Sequence, residues 1–232
     1  MRAILLAAGM GTRLRPLTLN TPKPLIIVNG ESIIERQIKA LNEIGINDII
    51  VVTGYLKEKF EFLKEKYGVT LIHNDKYDKY NNIYTMYLVR EYLKDTYVIE
   101  GDIYLNKNFL KPSMKTSAYF SSMKFGYKDE WMLKTDGNDR VCDIDVGSED
   151  GRYIMCGVSY WNEDDGRYIV KKLEECISKG NFTSLFWDDI VKDNINEINV
   201  KLEKLNSDDV YEIDSVDDLE IVMSNVKNKQ YK

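Results

Sequence analysis

The stretch Gly30–Tyr55, GESIIERQIKALNEIGINDIIVVTGY, carries a helix and a strand with both of their boundaries. Ser32 and Glu35 stand three residues apart at the head of an amphipathic series, a capping box that opens a helix. Gly45 suits the left-handed residue just past its end. Ile49–Thr53 then runs apolar and β-branched without polar alternation, closed by Gly54 and Tyr55. Such a run reads as a parallel strand covered on both faces.

The same rhythm extends outward. Ala3–Ala8 is a second continuous apolar run upstream. Downstream come a helix over Lys57–Tyr67 stopped by Gly68, a strand over Val69–His73, a helical stretch from Asn82 to Tyr92, and a strand over Tyr97–Glu100. Strand alternating with helix over the first hundred residues predicts a doubly wound α/β sheet. After Asp102 the pattern loosens into strands over Ser117–Met123, Val141–Val146 and Tyr153–Tyr160 and a helix over Glu163–Ser178. Late strands over Val200–Leu205 and Tyr211–Asp214 and a last helix over Val216–Val226 follow. With four prolines and no Pro-rich linker, the 232 residues read as one domain. Its second half, from about residue 106, forms a smaller mixed α/β region that closes over a ligand.

Charge bounds the partners. Thirty-eight acidic against 32 basic residues give a net charge of -6, so no global basic field exists to attract nucleic acid. A polyanionic ligand must be met by local cations, backbone amides or metal ions. Cys142, Cys156 and Cys176 lack metal-ligand spacing and read as reduced thiols. Ala3–Ala8 is too short for the core of a secretory signal, and Arg13, Arg15 and Lys23 follow at once. No run is long enough to span a bilayer, so the expectation is a cytoplasmic protein without membrane insertion.

Those cations cluster behind a glycine loop in Leu5–Thr18, LLAAGMGTRLRPLT. Glycines between a first strand and a helix let backbone amides approach a phosphate. Gly9-Met10-Gly11-Thr12-Arg13-Leu14 puts Leu14 in the third glycine slot of a dinucleotide fingerprint, and no strand-end acid follows at ribose distance. The Walker pattern also fails, because no Gly-Lys-Ser/Thr is present. What remains is a loop for another kind of phosphate, completed by Arg13 and Lys23.

L-A-A-G-x-G-x-R-x-x-P over Leu6–Pro16, followed by T-P-K-P over Thr21–Pro24, resembles the signature of nucleotidyltransferases. GINDIIVVTGYLKEKFEFLKEKYGV, NDKYDKYNNIYTMYLV, LFWDDIVKDNI and YEIDSVDDL are similar to bacterial choline-phosphate cytidylyltransferases. The resemblance implies a Rossmann-like sheet, CTP as donor, phosphocholine as acceptor and Mg²⁺ as cofactor. It would wrap Gly9, Gly11 and Thr12 around the triphosphate, with Arg13 and Lys23 neutralising the α-phosphate and the departing pyrophosphate. It maps metal ligation onto Asp102, Glu212 and Asp214. It also divides the chain into a nucleotide-binding half, about 1–105, and an acceptor-binding, metal-completing half, about 106–232.

The chemistry agrees with the residues. A phosphate nucleophile is anionic at neutral pH and needs no general base, which suits a chain whose single histidine, His73, reads as structural. Transfer between two anions depends on positioning and neutralisation instead. Asp102 follows a predicted central strand at its carboxyl end, where open α/β sheets bind ligands. Glu212 and Asp214 alternate along a predicted strand and share a face, although Asp214 also suits a cap of the last helix. Lys23, Arg13 and Asp102 form the expected catalytic set.

For the donor base, backbone groups of Leu6, Ala7 and Ala8 and the strand-end pair Gly54 and Tyr55 are candidates. Asn81 and Asn82 read either as contacts to a pyrimidine edge or as helix caps. A quaternary ammonium offers no hydrogen bond, so its recognition calls for aromatic rings and a carboxylate. Trp131, Trp161 and Trp187 are the chosen rings, with Tyr160 and Tyr84, and Asp188 the chosen acid; Phe186, Tyr87, Glu130 and Asp189 are further candidates.

Overall fold

The computed structural model describes residues 1–230. From the amino terminus, β1 (Arg2–Ala7) leads through three 3-10 turns into a small hairpin, β2 (Ile27–Val28) and β3 (Glu31–Ser32), and then α1 (Ile33–Glu43). Next come β4 (Ile49–Thr53), α2 (Phe62–Tyr67), β5 (Thr70–His73), α3 (Asn82–Leu88) and β6 (Thr96–Glu100). The second half runs β7 (Ile103–Leu105), β8 (Ser117–Lys124), β9 (Glu130–Thr135), β10 (Val141–Gly147), β11 (Arg152–Trp161) and α4 (Glu163–Lys179). It ends with α5 (Trp187–Asp193), β12 (Val200–Leu205), β13 (Val210–Glu212) and α6 (Val216–Gln230).

The capping box opens α1 as expected: the Ser32 hydroxyl accepts from the Glu35 amide while the Glu35 carboxylate accepts from the Ser32 amide. Two expected helices are shorter. Lys57–Tyr67 divides into a 3-10 turn over Lys57–Phe60 and α2, with Phe60 and Leu63 three residues apart and both buried. That spacing suits the tighter turn. Likewise α3 stops at Leu88 and a 3-10 turn over Arg90–Tyr92 follows. β9, α5, β7 and the β2–β3 hairpin are additions to the sequence reading. They are two to seven residues long, too short for periodicity to declare them.

Among the described residues nine strands form one mixed sheet. β5, β4, β1 and β6 lie side by side and parallel, with Leu6 of β1 opposite both Val52 and Glu100. β11 pairs antiparallel with β6 over Trp161–Val158, with β8 along its other edge, and with β9 at Ile154. The chain leaves β1 for β4 on one side and returns to β6 on the other. The carboxyl end of β1 is therefore a topological switch point, where a crevice opens. A second opening arises along β11, whose register shifts between Met155 and Val158 as it passes from β9 to β6.

Core packing follows the pleat of β1. Ile4 and Leu6 face α3, α4 and α5, whereas Ala3, Leu5 and Ala7 face α1. A third cluster joins Leu14, Ile26, Val28 and Ile33 to Tyr104, Ile213 and the inner face of α6. Among the described residues no helix is long and apolar enough to cross a membrane.

Burial tends to raise the Glu35 carboxyl, but hydrogen bonds from Lys66, Ser32 and Tyr67 outweigh it and hold the group down at about 2. A lowered carboxyl stabilises the fold above its unfolded value and loses that contribution as pH falls toward the folded one. Glu35→Gln should cost about 1 kcal/mol at pH 7 in denaturant titrations. The gap to wild type should stay flat above about pH 6 and close between about pH 4.5 and 2.

Candidate active site

The loop after β1 is built around Gly11 and Leu14. Gly11 takes a left-handed conformation (φ 58°), and a Cβ there would lie 2.9 Å from Cβ of Lys23. Thr18 Oγ1 donates to the Gly11 carbonyl (2.7 Å), folding the loop back on itself. Leu14 has no exposure and packs with Ile213 and Leu219, so the residue that spoils the dinucleotide fingerprint anchors the loop to the carboxyl-terminal helix. These contacts bring Lys23, 9% exposed, beneath the glycines.

Lys23 Nζ donates to Asp102 Oδ2 (2.8 Å) and to Asp214 Oδ1 (2.6 Å). Arg13 Nη2 pairs with the other Asp214 oxygen at 2.8 Å. Burial works against the Lys23 ammonium, yet the two aspartates outweigh it and raise its proton affinity above that of a free lysine. Asp102 follows β6, and Asp214 follows β13, which pairs with β7. The Asp102 carbonyl accepts from the Ile213 amide (3.1 Å), which holds the two acidic segments together. Asp214 does not cap α6: Ser215 does, its Oγ accepting from the Asp218 amide (3.1 Å) while Asp218 Oδ2 accepts from the Ser215 amide (2.8 Å).

Asp102, Glu212 and Asp214 bring carboxylate oxygens within 4.8 Å of one another. Burial, with Asp102, Asp214 and Glu130 adding repulsion, pushes the Glu212 carboxyl up to about 8. Asp102 Oδ1 is buried and has no hydrogen-bond partner among the described residues. Three hard oxygen donors, one of them orphaned, fit a divalent cation.

A cleft opens over this cluster. Leu6, Ala7, Ala8, Gly9, Gly11, Thr12, Arg13, Lys23, Asn81, Asn82, Asp102 and Asp214 all line it. Asn81 also caps α3, its Oδ1 accepting from the Asn82 amide. Asn82 donates to Glu100 Oε1 (3.3 Å) and accepts from the Trp187 amide (2.9 Å), tying α3 to α5. Gly54 and Tyr55 do not line the cleft. A Cβ on Gly54 would meet the Ala8 carbonyl at 2.5 Å and Tyr77 at 2.6 Å, and the Tyr55 amide donates to that same carbonyl (3.2 Å). They support the loop from behind. Glu100, a further candidate acid at the end of its strand, lines the cleft as well; Tyr77, Tyr80 and Thr85 also line it and were missed, because nothing local in a tyrosine-rich stretch marks which side chains border a cleft.

An adjoining recess is lined by Glu130, Trp131, Met155, Gly157, Phe186, Asp188 and Glu212. Trp131 and Phe186 meet edge to face, 6.1 Å between ring centres, with Phe186 42% exposed. The other chosen rings lie elsewhere. Trp161 has no exposure, packs against Tyr119 and Trp187, and donates to Ser159 Oγ (2.9 Å); it is core. Tyr160 is buried on the opposite face of the sheet, donating to Asp95 (2.5 Å) and to the Met114 carbonyl (3.1 Å). Trp187 is 2% exposed and closes the core behind Asp188, and Tyr84 stacks in a cluster with Tyr80, Tyr87 and Phe182. Consecutive strand residues point to opposite faces, so the Tyr160-Trp161 pair could never share one pocket. Asp189 caps α5 by accepting from the Phe186 amide. Burial, countered by the hydrogen bond from the Tyr119 hydroxyl (2.8 Å), pushes the Asp188 carboxyl up to about 7.

Residues 2–130 match the nucleotidyl transferase family, and the chain belongs to that family. It is 49% identical to the choline-phosphate cytidylyltransferase of Streptococcus pneumoniae over 99% of this chain and all of that one. It is 37% identical to the choline-phosphate cytidylyltransferase of Haemophilus influenzae over the whole of both chains. The solved CTP:phosphocholine cytidylyltransferase from Streptococcus pneumoniae superposes with a TM-score of 0.94 and 48% identity, over 97% of this chain and 98% of that one.

Gly54→Ala should drive its new methyl into the Ala8 carbonyl and displace the loop. The expected result is a loss of about 1–3 kcal/mol in denaturant unfolding together with weaker nucleotide binding by calorimetry.

Proposed function

We propose that the protein is a choline-phosphate cytidylyltransferase, transferring CMP from CTP to phosphocholine with Mg²⁺ as cofactor and releasing pyrophosphate. One observation carries the geometry of this reading. The loop-lined cleft and the aromatic recess share Arg13, Glu100, Asp102, Phe186 and Asp214, so two ligands would meet at the cations.

In the reaction, an oxygen of the acceptor phosphate forms a bond to the α-phosphorus of CTP. The oxygen bridging to the β-phosphorus departs with its electron pair on pyrophosphate. The amides of Gly9, Gly11 and Thr12 cradle the triphosphate, and Lys23 and Arg13 supply positive charge beside the reacting phosphorus. Mg²⁺, with Asp102, Glu212 and Asp214 as its ligands, would neutralise phosphate charge that otherwise repels the nucleophile. Leu6, Ala7, Ala8, Asn81 and Asn82 border the nucleoside. Trp131 and Phe186 contact the trimethylammonium group through their rings, and Asp188 and Glu130 balance its charge. Each ring contact contributes about 0.5–2 kcal/mol, enough to separate choline from neutral alcohols.

Pyrophosphate release, measured with each of the four NTPs and a panel of acceptor phosphates, tests the reading. It should be fastest with CTP and phosphocholine and should require a divalent cation. Release with glucose 1-phosphate, phosphoethanolamine or an aminophosphonate in preference to phosphocholine overturns the acceptor. Asp102→Asn should lose turnover about 100-fold, a far larger loss than its fall in melting temperature accounts for. Trp131→Ala should raise the phosphocholine KM about tenfold and leave the CTP KM within about twofold.

The acceptor site should also respond to pH. With its carboxyl at about 7, Asp188 is ionised above neutrality and attracts a cation there. The phosphocholine KM should fall as pH rises from about 6 to 8, and Asp188→Asn should flatten that dependence.

A further inference from the structure

We propose that Gln37, buried on α1 beneath the turn after β6, is a positioning residue for the Asp102–Glu212–Asp214 cluster. The proposal rests on the reading of that cluster as a metal site. Gln37 lies on α1 and has no exposure. Its Nε2 donates to the Glu100 carbonyl (2.8 Å) and to the Ile103 carbonyl (2.7 Å). Those carbonyls stand on either side of Gly101 and Asp102, so one amide group spans the turn that presents Asp102.

Two features show that this fork is more than packing. Backbone carbonyls only accept, so the Gln37 nitrogen must face the turn, and its Oε1 is left buried without a partner among the described residues. An apolar side chain of similar length would fill the helix position without burying an unpaired oxygen. The turn is also tightly enclosed. The Gly101 amide donates to the Leu6 carbonyl (2.9 Å), and a Cβ on Gly101 would lie 2.8 Å from both that carbonyl and Pro24. On its other side, the Asp102 carbonyl accepts from the Ile213 amide, between Glu212 and Asp214. The Gln37 fork therefore fixes one edge of the turn whose other edge holds the remaining two acids. Releasing the fork lets Asp102 move relative to Glu212 and Asp214, and a metal site tolerates little such movement.

The test compares Mn²⁺ binding, followed by electron paramagnetic resonance on the whole chain, with melting temperature and steady-state kinetics. Gln37→Met removes both donors at similar volume. It should weaken Mn²⁺ binding about tenfold and lower kcat, with the phosphocholine KM unchanged. Ser32→Ala loosens the same helix at its cap and controls for general destabilisation; it should lower the melting temperature and leave Mn²⁺ binding unchanged. Gln37→Asn keeps a polar head one methylene short of the carbonyls, and should weaken Mn²⁺ binding likewise if Gln37→Met fails to fold. Wild-type Mn²⁺ affinity in a folded Gln37 variant, or an equal loss in Ser32→Ala at matched melting temperature, overturns the positioning role. A wild-type chain that binds no Mn²⁺ overturns the metal reading itself.

Discussion

The Lys23 ammonium, shared between Asp102 and Asp214, is the interaction on which the rest of the site depends. It joins three segments that are far apart in the chain: the loop after β1, the turn after β6 and the strand end after β13. Lys23 is nearly buried, and a buried ammonium is costly unless its donors are satisfied by nearby charge. The two carboxylates supply that charge, and they are the groups whose mutual repulsion most needs a cation. Each side makes the other tolerable. Lys23 and a divalent ion are thus two ways of meeting the same negative charge, and the loop above Lys23 is where a triphosphate would bring more of it.

The acidity of the cleft follows from the same balance. Glu100, Asp188 and Glu212 are all raised, first by burial and then by neighbouring carboxylates. A protein that placed these groups together for stability alone would lose by it. Their arrangement suits cationic guests instead: a metal ion at one end and a quaternary ammonium at the other. Rings as well as acids are needed at the second end, because a trimethylammonium group has no N–H to donate and is attracted to a π-face. Under the proposed function Trp131 and Phe186 would meet that requirement, brought together from β9 and the residue before α5 by tertiary packing alone.

Legibility in the sequence tracked how local the cause was. The capping box at Ser32 and Glu35, the buried run Ile49–Thr53 and the left-handed stop at Gly68 are each decided within a few residues, and each stands where the pattern puts it. The glycine loop with Arg13 and Lys23 was legible for a related reason, since cations crowded behind glycines in an acidic chain have few other uses. The aromatic residues were not. Trp131, Trp161 and Trp187 look alike in sequence, yet one borders a recess, one is core and one closes the core behind Asp188. Gly54 and Tyr55 show the same limit: a strand end beside the loop predicts proximity, and the structure packs both against the Ala8 carbonyl behind the loop.

The sequence by itself therefore determined the alternating α/β frame, the phosphate-type loop and the acids able to hold a metal, because periodicity, capping and motif spacing are short-range properties. Only the tertiary structure decided which ring faces the recess, that Asp214 turns to Lys23 and Arg13 instead of capping α6, and that Gln37 grips the turn beneath Asp102. Those outcomes depend on groups between 63 and 201 positions apart meeting across a twisted sheet, and no local pattern encodes the direction in which such a side chain finally points.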